Sequence, residues 1–125
     1  MLDPRMNDRF ENLEVWKKAH QYTLIVYKLT KKFPLEEKFS LADQLKRSAS
    51  SVPTNIVEGN ERNSQKEYIQ FLYTSKASLA ESKYQLLLAK DLGYLSDADH
   101  TLALQLSNEI GKMLNGIISY LKSRI

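Results

Sequence analysis

From Leu13 to Phe33 the chain runs without a glycine or proline, and its apolar residues keep one helical rhythm. Val15, Ala19, Tyr22, Val26, Leu29 and Phe33 step by 4, 3, 4, 3 and 4, the spacing that aligns side chains along one side of a helix packed in a bundle. Leu13, Trp16, Leu24 and Tyr27 widen that stripe, while Lys17, Lys18, Gln21, Lys28, Lys31 and Lys32 lie largely on the other side. Such a stripe has to be buried against partner elements. Asn12 stands where an N-cap is expected. Pro34 ends the segment, because the residue before a proline is pushed out of helical geometry.

Three further segments repeat the pattern. After Ser40, the residues Ala42, Leu45, Ala49, Val52 and Ile56 mark one buried face, and Gly59 with Asn60 reads as C-terminal punctuation. Ser64 and Glu67 have capping-box spacing. Behind them Tyr68, Leu72, Ser75, Leu79, Ser82, Leu86 and Ala89 form a seam whose serines permit close approach. A second row, Ile69, Tyr73, Ala80 and Leu87, lies about 100° around the same helix, and is the candidate contact with a second copy of the chain. Gly93 follows as a C′ residue, and Ser96 with Asp99 opens the last helix. Its expected stripe is Ala103, Leu106, Ile110, Met113, Ile117 and Tyr120, with Leu102, Leu114 and Leu121 beside it. The expected fold is therefore all-α: an antiparallel up-down-up-down four-helix bundle, with helices at about 12–32, 40–60, 64–92 and 97–122.

Composition fits that class. The 125 residues suit one domain over 1–125, with 1–9 as a flexible lead. Only 4 glycines and 3 prolines leave little punctuation for a many-stranded sheet. The absence of cysteine excludes disulfides, thiol catalysis and cysteine metal sites. The first residues, MLDPRMNDRF, contain no apolar signal-peptide core, and no stretch is apolar enough to span a bilayer. A cytoplasmic protein with no membrane role is expected.

Residues 50–59, SSVPTNIVEG, carry the densest polar pattern. On an ideal helix counted from Leu41, Gln44, Arg47, Ser51, Asn55, Glu58 and Arg62 fall at about 240–320°, and the core residues at about 20–80°. The polar stripe is thus a shoulder between core and solvent. Three readings compete: a hydrogen-bonded seam between helices or subunits, with Arg47 or Arg62 pairing Glu58; a ligand or RNA site built on Arg47, Asn55 and Arg62; and a catalytic site. No histidine lies near Ser48, Ser50 or Ser51 to activate a nucleophile, so no enzyme is expected. Pro53 falls within this segment. A kinked but continuous helix is expected there, against a fresh helix capped by Ser51 with Pro53 in its first turn, because the apolar stripe keeps its phase from Ala49 to Ile56.

Metal and cofactor sites lack their residues. The chain has no Glu-x-x-His motif and only His20 and His100. It has no glycine-rich phosphate loop. The net charge of +3 is concentrated in residues 1–33, with seven Lys/Arg against four Asp/Glu. Arg9, Lys17, Lys28, Lys31 and Lys32 are the candidate nucleic-acid contacts, against the plainer reading of a solvated helix face.

The stretches FENLEVWKKA (10–19), 31–72, SLAESKYQL (78–86) and LGYL (92–95) together resemble the small four-helix-bundle proteins encoded within intervening sequences of bacterial large-subunit ribosomal RNA genes. The match is most specific at Gln44, Arg47, Ser51, Pro53, Asn55, Glu58, Gly59 and Arg62. The resemblance implies an antiparallel bundle that assembles as a ring-like homopentamer, without an established biochemical role. A more distant likeness, to accessory proteins of diversity-generating retroelements, brings RNA or a nucleoprotein complex into view as a partner. The rival expectation is a protein-interaction adaptor with no nucleic-acid role.

Overall fold

The computed structural model describes residues 10–125. The lead at 1–9, including Arg9, lies outside the described residues. Four α-helices follow in order: α1 (Glu14–Thr30), α2 (Leu41–Asn60), α3 (Gln65–Asp91) and α4 (Asp97–Lys122). Short 3-10 turns at Phe10–Asn12 and Leu35–Glu37 precede α1 and α2. No strand occurs among the described residues.

Cross-helix contacts fix the topology. Thr23 meets Ala49, Ser48 meets Gln85, Lys83 meets Asn108, and Lys18 meets Glu109. Further along, Ser75 meets Val52, Tyr73 meets Lys122, and Lys32 meets Asp99. In the α2–α3, α3–α4 and α1–α4 pairs the residue numbers rise in opposite senses, so α1 and α2 are antiparallel as well, and α4 closes the bundle against α1.

The stripes of α1, α2 and α3 are buried as their spacing predicts. The stripe of α4 is turned from the expected one. Ala103, Ser107, Ile110, Leu114, Ile118 and Leu121 face the core, whereas Leu106, Met113, Ile117 and Tyr120 are half-buried beside it. Ser107 hid the true face, because its hydroxyl is satisfied within the helix by the Leu104 carbonyl at 2.8 Å and so tolerates burial. Leu24 and Tyr27, expected to widen the α1 stripe, are both exposed.

The helix ends show how local chemistry sets boundaries. Ser64 and Ser96 accept hydrogen bonds from the Glu67 and Asp99 amides, as capping residues do. At the end of α3, Gly93 takes φ +84°, its amide bonds the Lys90 carbonyl, and the Tyr94 amide bonds the Ala89 carbonyl. That is a Schellman motif, and it requires the left-handed conformation that glycine adopts without strain. Two expectations fail. Asn12 is not an N-cap: it belongs to the preceding 3-10 turn, closed by Leu13 N–H to Phe10 O, and α1 starts at Glu14. Phe10 packs edge-on against Trp16, 5.0 Å between ring centroids, which holds that turn in place. Gly59 is not punctuation either. It lies inside α2, buried, where a Cβ would come within 2.8 Å of both Phe71 Cβ and Tyr68 Cδ1. Its missing side chain lets α2 and α3 touch.

α2 passes through Pro53 without interruption. Proline removes the amide that would bond the Ala49 carbonyl. The Thr23 hydroxyl from α1, which also bonds Ala19 O, reaches that carbonyl at 3.2 Å.

Candidate functional site

Three features outside the apolar core bear on function, and the polar seam on α2 is the first. Its centre is built between α2 and α3. Ser51 Oγ and Ser78 Oγ lie 2.8 Å apart, and Asn55 Nδ2 donates to both Ser51 O and Ser51 Oγ. Deeper in, Ser75 Oγ donates to the Val52 carbonyl, and Ser48 Oγ donates to Gln85 Oε1 at 2.6 Å. Tyr22 of α1 shares a 2.7 Å hydrogen bond with Ser82 of α3. Burial pushes the Tyr22 phenol up to about 12, the Ser82 bond opposing that shift. This ladder is a set of mutually satisfied hydroxyls and amides.

The outer members of the seam lie elsewhere. Gln44, Arg47, Glu58 and Arg62 are exposed. Arg47 pairs with Asp43, one turn back on its own helix, at 2.9 Å, in place of the expected partner Glu58. The Arg62 guanidinium lies 4.7 Å from the centroid of the Phe71 ring. Sequence spacing therefore groups six residues of which the structure joins two, Ser51 and Asn55, into one hydrogen-bonded unit across the α2–α3 boundary.

The basic face of α1 is the second feature. Lys17, Lys28, Lys31 and Lys32 are all exposed. Lys17 is paired with Glu14 and Lys32 with Asp99, each at 3.1 Å. Lys28 and Lys31 make no ion pair among the described residues. Two of the four described lysines of the expected stripe are therefore already paired within the protein itself. Sequence reasoning also missed lysines on α3 and α4, whose partners are distant in the chain. The available signal was the seven-residue spacing of Lys76 and Lys83.

The third feature is apolar. Of the α3 row expected to meet a second copy, Tyr73, Ala80 and Leu87 are exposed, but Ile69 is buried in the chain's own core. At the end of the bundle where α2 begins and α3 ends, Leu35 and Phe39 are 83% and 86% exposed, with Leu92 also exposed. Beside them the Glu37 carboxylate accepts from Ser40 Oγ at 2.6 Å and from the Tyr94 hydroxyl at 2.9 Å. These bonds, Ser40 first, lower the Glu37 pKa, and the bond to Glu37 raises that of Tyr94. Among the described residues no three His, Asp or Glu side chains gather as a metal site, and no helix is long and apolar enough to cross a membrane.

Residues 11–116 match the family model of the 23S rRNA-intervening sequence protein. The chain belongs to that family. The likeness extends to three dimensions. A solved protein of unknown function from the S23 ribosomal protein family of Bacteroides thetaiotaomicron superposes with a TM-score of 0.78 at 28% identity, over 83% of this chain and 97% of that one. No curated protein matches. The family match spans the whole polar seam and both candidate faces, so all three features belong to the part of the chain that the family shares.

Proposed function

We propose that this member of the intervening-sequence family is a non-enzymatic, self-assembling bundle scaffold, a homopentamer that engages RNA or a nucleoprotein complex through basic surface residues. The observation that carries self-assembly is the apolar end formed by Leu35, Phe39 and Leu92. A bundle with its core already closed gains nothing from holding these side chains in water, and exposed clusters of this kind mark contact surfaces. In a ring, each weak basic face is repeated, and repetition multiplies a modest charge into avidity. The 23S rRNA of the family name and the ribosomal family of the solved relative support RNA as the ligand. The polar ladder supports a structural role rather than a reactive one, since its hydroxyls are spent on one another and on backbone carbonyls.

Light scattering of the purified protein tests the assembly. The expected result is a pentamer that Phe39→Ser weakens, and a monomer at micromolar concentration overturns it. Binding to RNA at low salt tests the ligand. A protein-interaction adaptor without a nucleic-acid role is the second reading, favoured by the same apolar end. It predicts a partner that stays bound through high salt and nuclease.

A further inference from the structure

The groove between α3 and α4 gathers lysines that acids do not answer. Lys66, Lys76 and Lys83 of α3 and Lys112 and Lys122 of α4 line two hollows that follow one another along it. Glu67 is the one acidic side chain among the lining residues. The central hollow, about 420 Å³, is lined in part by Ala80, Ser107 and Gly111, whose small side chains keep it open.

Positive charge is in excess in this groove, five lysines against one acidic side chain. Lys83 Nζ donates to Asn108 Oδ1 at 2.9 Å and Lys122 Nζ to the Tyr73 hydroxyl at 3.2 Å, both neutral acceptors. Lys66, Lys76 and Lys112 make no ion pair among the described residues. Nearby carboxylates are engaged away from the groove: Glu81 accepts from Gln85 on the side toward α2, and Glu109 pairs with Lys18 of α1. On α1, by contrast, Lys17 and Lys32 each have an acidic partner.

The arrangement is linear. Lys66 and Lys83 lie seventeen residues apart on one helix, about 25 Å at 1.5 Å per residue. A single small anion is best held by cations that converge on one point, whereas cations strung along a groove match a chain of regularly spaced negative charges. Tyr84, exposed on α3, offers a ring face to an unstacked base, while the Tyr73 ring already carries Lys122 Nζ, 5.8 Å from its centroid.

We infer that the α3–α4 groove is a track for the phosphodiester backbone of a single RNA strand. The inference rests on the nucleic-acid reading above and moves its principal site from α1 to α3–α4. Lysines along both walls follow the phosphates, and the affinity falls with salt as counterions are released.

Gly111 allows a test that leaves the lysines in place, because a Cβ there meets only Leu79 Cδ2, at 3.7 Å. Fluorescence anisotropy of a labelled oligouridylate is measured at low salt with the full chain, circular dichroism confirming the fold of each variant. Gly111→Glu should bind about tenfold or more weaker than Gly111→Gln, which has nearly the same size, because only the former places a carboxylate among the lysines. The triple variant Lys76→Gln, Lys83→Gln, Lys112→Gln should also weaken about tenfold or more, with a salt slope shallower by about 2, at about 0.7 per phosphate contact on a single strand. Absence of wild-type binding at low salt would sink both this inference and the nucleic-acid reading. Wild-type binding that Lys28→Gln with Lys31→Gln abolishes, while the groove variants bind normally, overturns the groove alone. So does a change of oligomeric state in the groove variants with RNA affinity unaltered, since the groove would then be a contact between copies.

Discussion

The Thr23 hydroxyl of α1 shares its hydrogen between Ala19 O of its own helix, at 2.9 Å, and the Ala49 carbonyl of α2, at 3.2 Å, the acceptor that Pro53 leaves without its amide. A neighbouring helix thus supplies the hydrogen bond that the proline takes away. The cost of an interior proline, about 3 kcal/mol in an isolated helix, is offset through tertiary contact, and α1 and α2 are tied together at their midpoints.

Thr23→Val keeps the shape of that side chain and removes its donor. Loss of about 1–2 kcal/mol is expected, since the buried Ala49 carbonyl is left unpaired. Pro53→Ala returns an amide to that carbonyl, so the double variant should lose less than the sum of the singles. Urea denaturation of the four proteins measures the coupling. Strict additivity would show that Thr23 and Pro53 are energetically unconnected.

The glycines of α2 and α4 should respond in opposite ways. Gly59→Ala forces a methyl group to within 2.8 Å of Phe71 Cβ and Tyr68 Cδ1, and should destabilise by about 1–3 kcal/mol through overpacking. Gly111→Ala meets nothing closer than 3.7 Å, and should stabilise by about 0.5–1 kcal/mol as a helix-interior replacement. Thermal melts of the pair decide the matter. A Gly59→Ala protein as stable as wild type would refute the close approach of α2 and α3.

Tyr22 sets an alkaline limit. Its pKa rises from 10.0 to about 12 in the fold, so the neutral phenol is favoured there. The stability it contributes is complete below pH 10.0 and declines as the pH rises toward about 12. Denaturation midpoints measured across that window should fall, and Tyr22→Phe should lack this share of the fall.

Glu37 acts on the acid side. Its folded pKa lies below the ordinary 4.5, so the contribution is present above that value and is lost as the pH falls through the depressed one. Glu37→Gln and Tyr94→Phe should each flatten the acid-side decline of the melting temperature. An identical decline in all three proteins would remove the tie between Glu37 and Tyr94 as its cause.

Much of the fold was legible because helical periodicity is a local property. The stripes from Val15 to Phe33, Ala42 to Ile56 and Tyr68 to Ala89 are buried where their spacing places them. The α4 stripe was misread because sequence reasoning treats a serine as a surface residue, whereas Ser107 meets its need for a hydrogen bond within its own turn. The candidate site was less legible. Seam residues share one angular sector of α2, yet Ser51 reaches Ser78 of α3 with Asn55 bonded behind it, while Arg47 turns back to Asp43 of its own helix.

By itself, the sequence determined the number of helices, where α3 and α4 are capped, and the central buried stripe of α1, α2 and α3, since each depends on neighbours within a few positions in the chain. Only the tertiary structure decided what Pro53, Gly59 and the lysines do. Pro53 depends on a hydroxyl thirty residues earlier, Gly59 on the closeness of Phe71 and Tyr68, and the pairing of Lys18 and Lys32 on carboxylates that another helix brings beside them. Those distances are created when helices dock, and the order of residues along any one helix does not contain them.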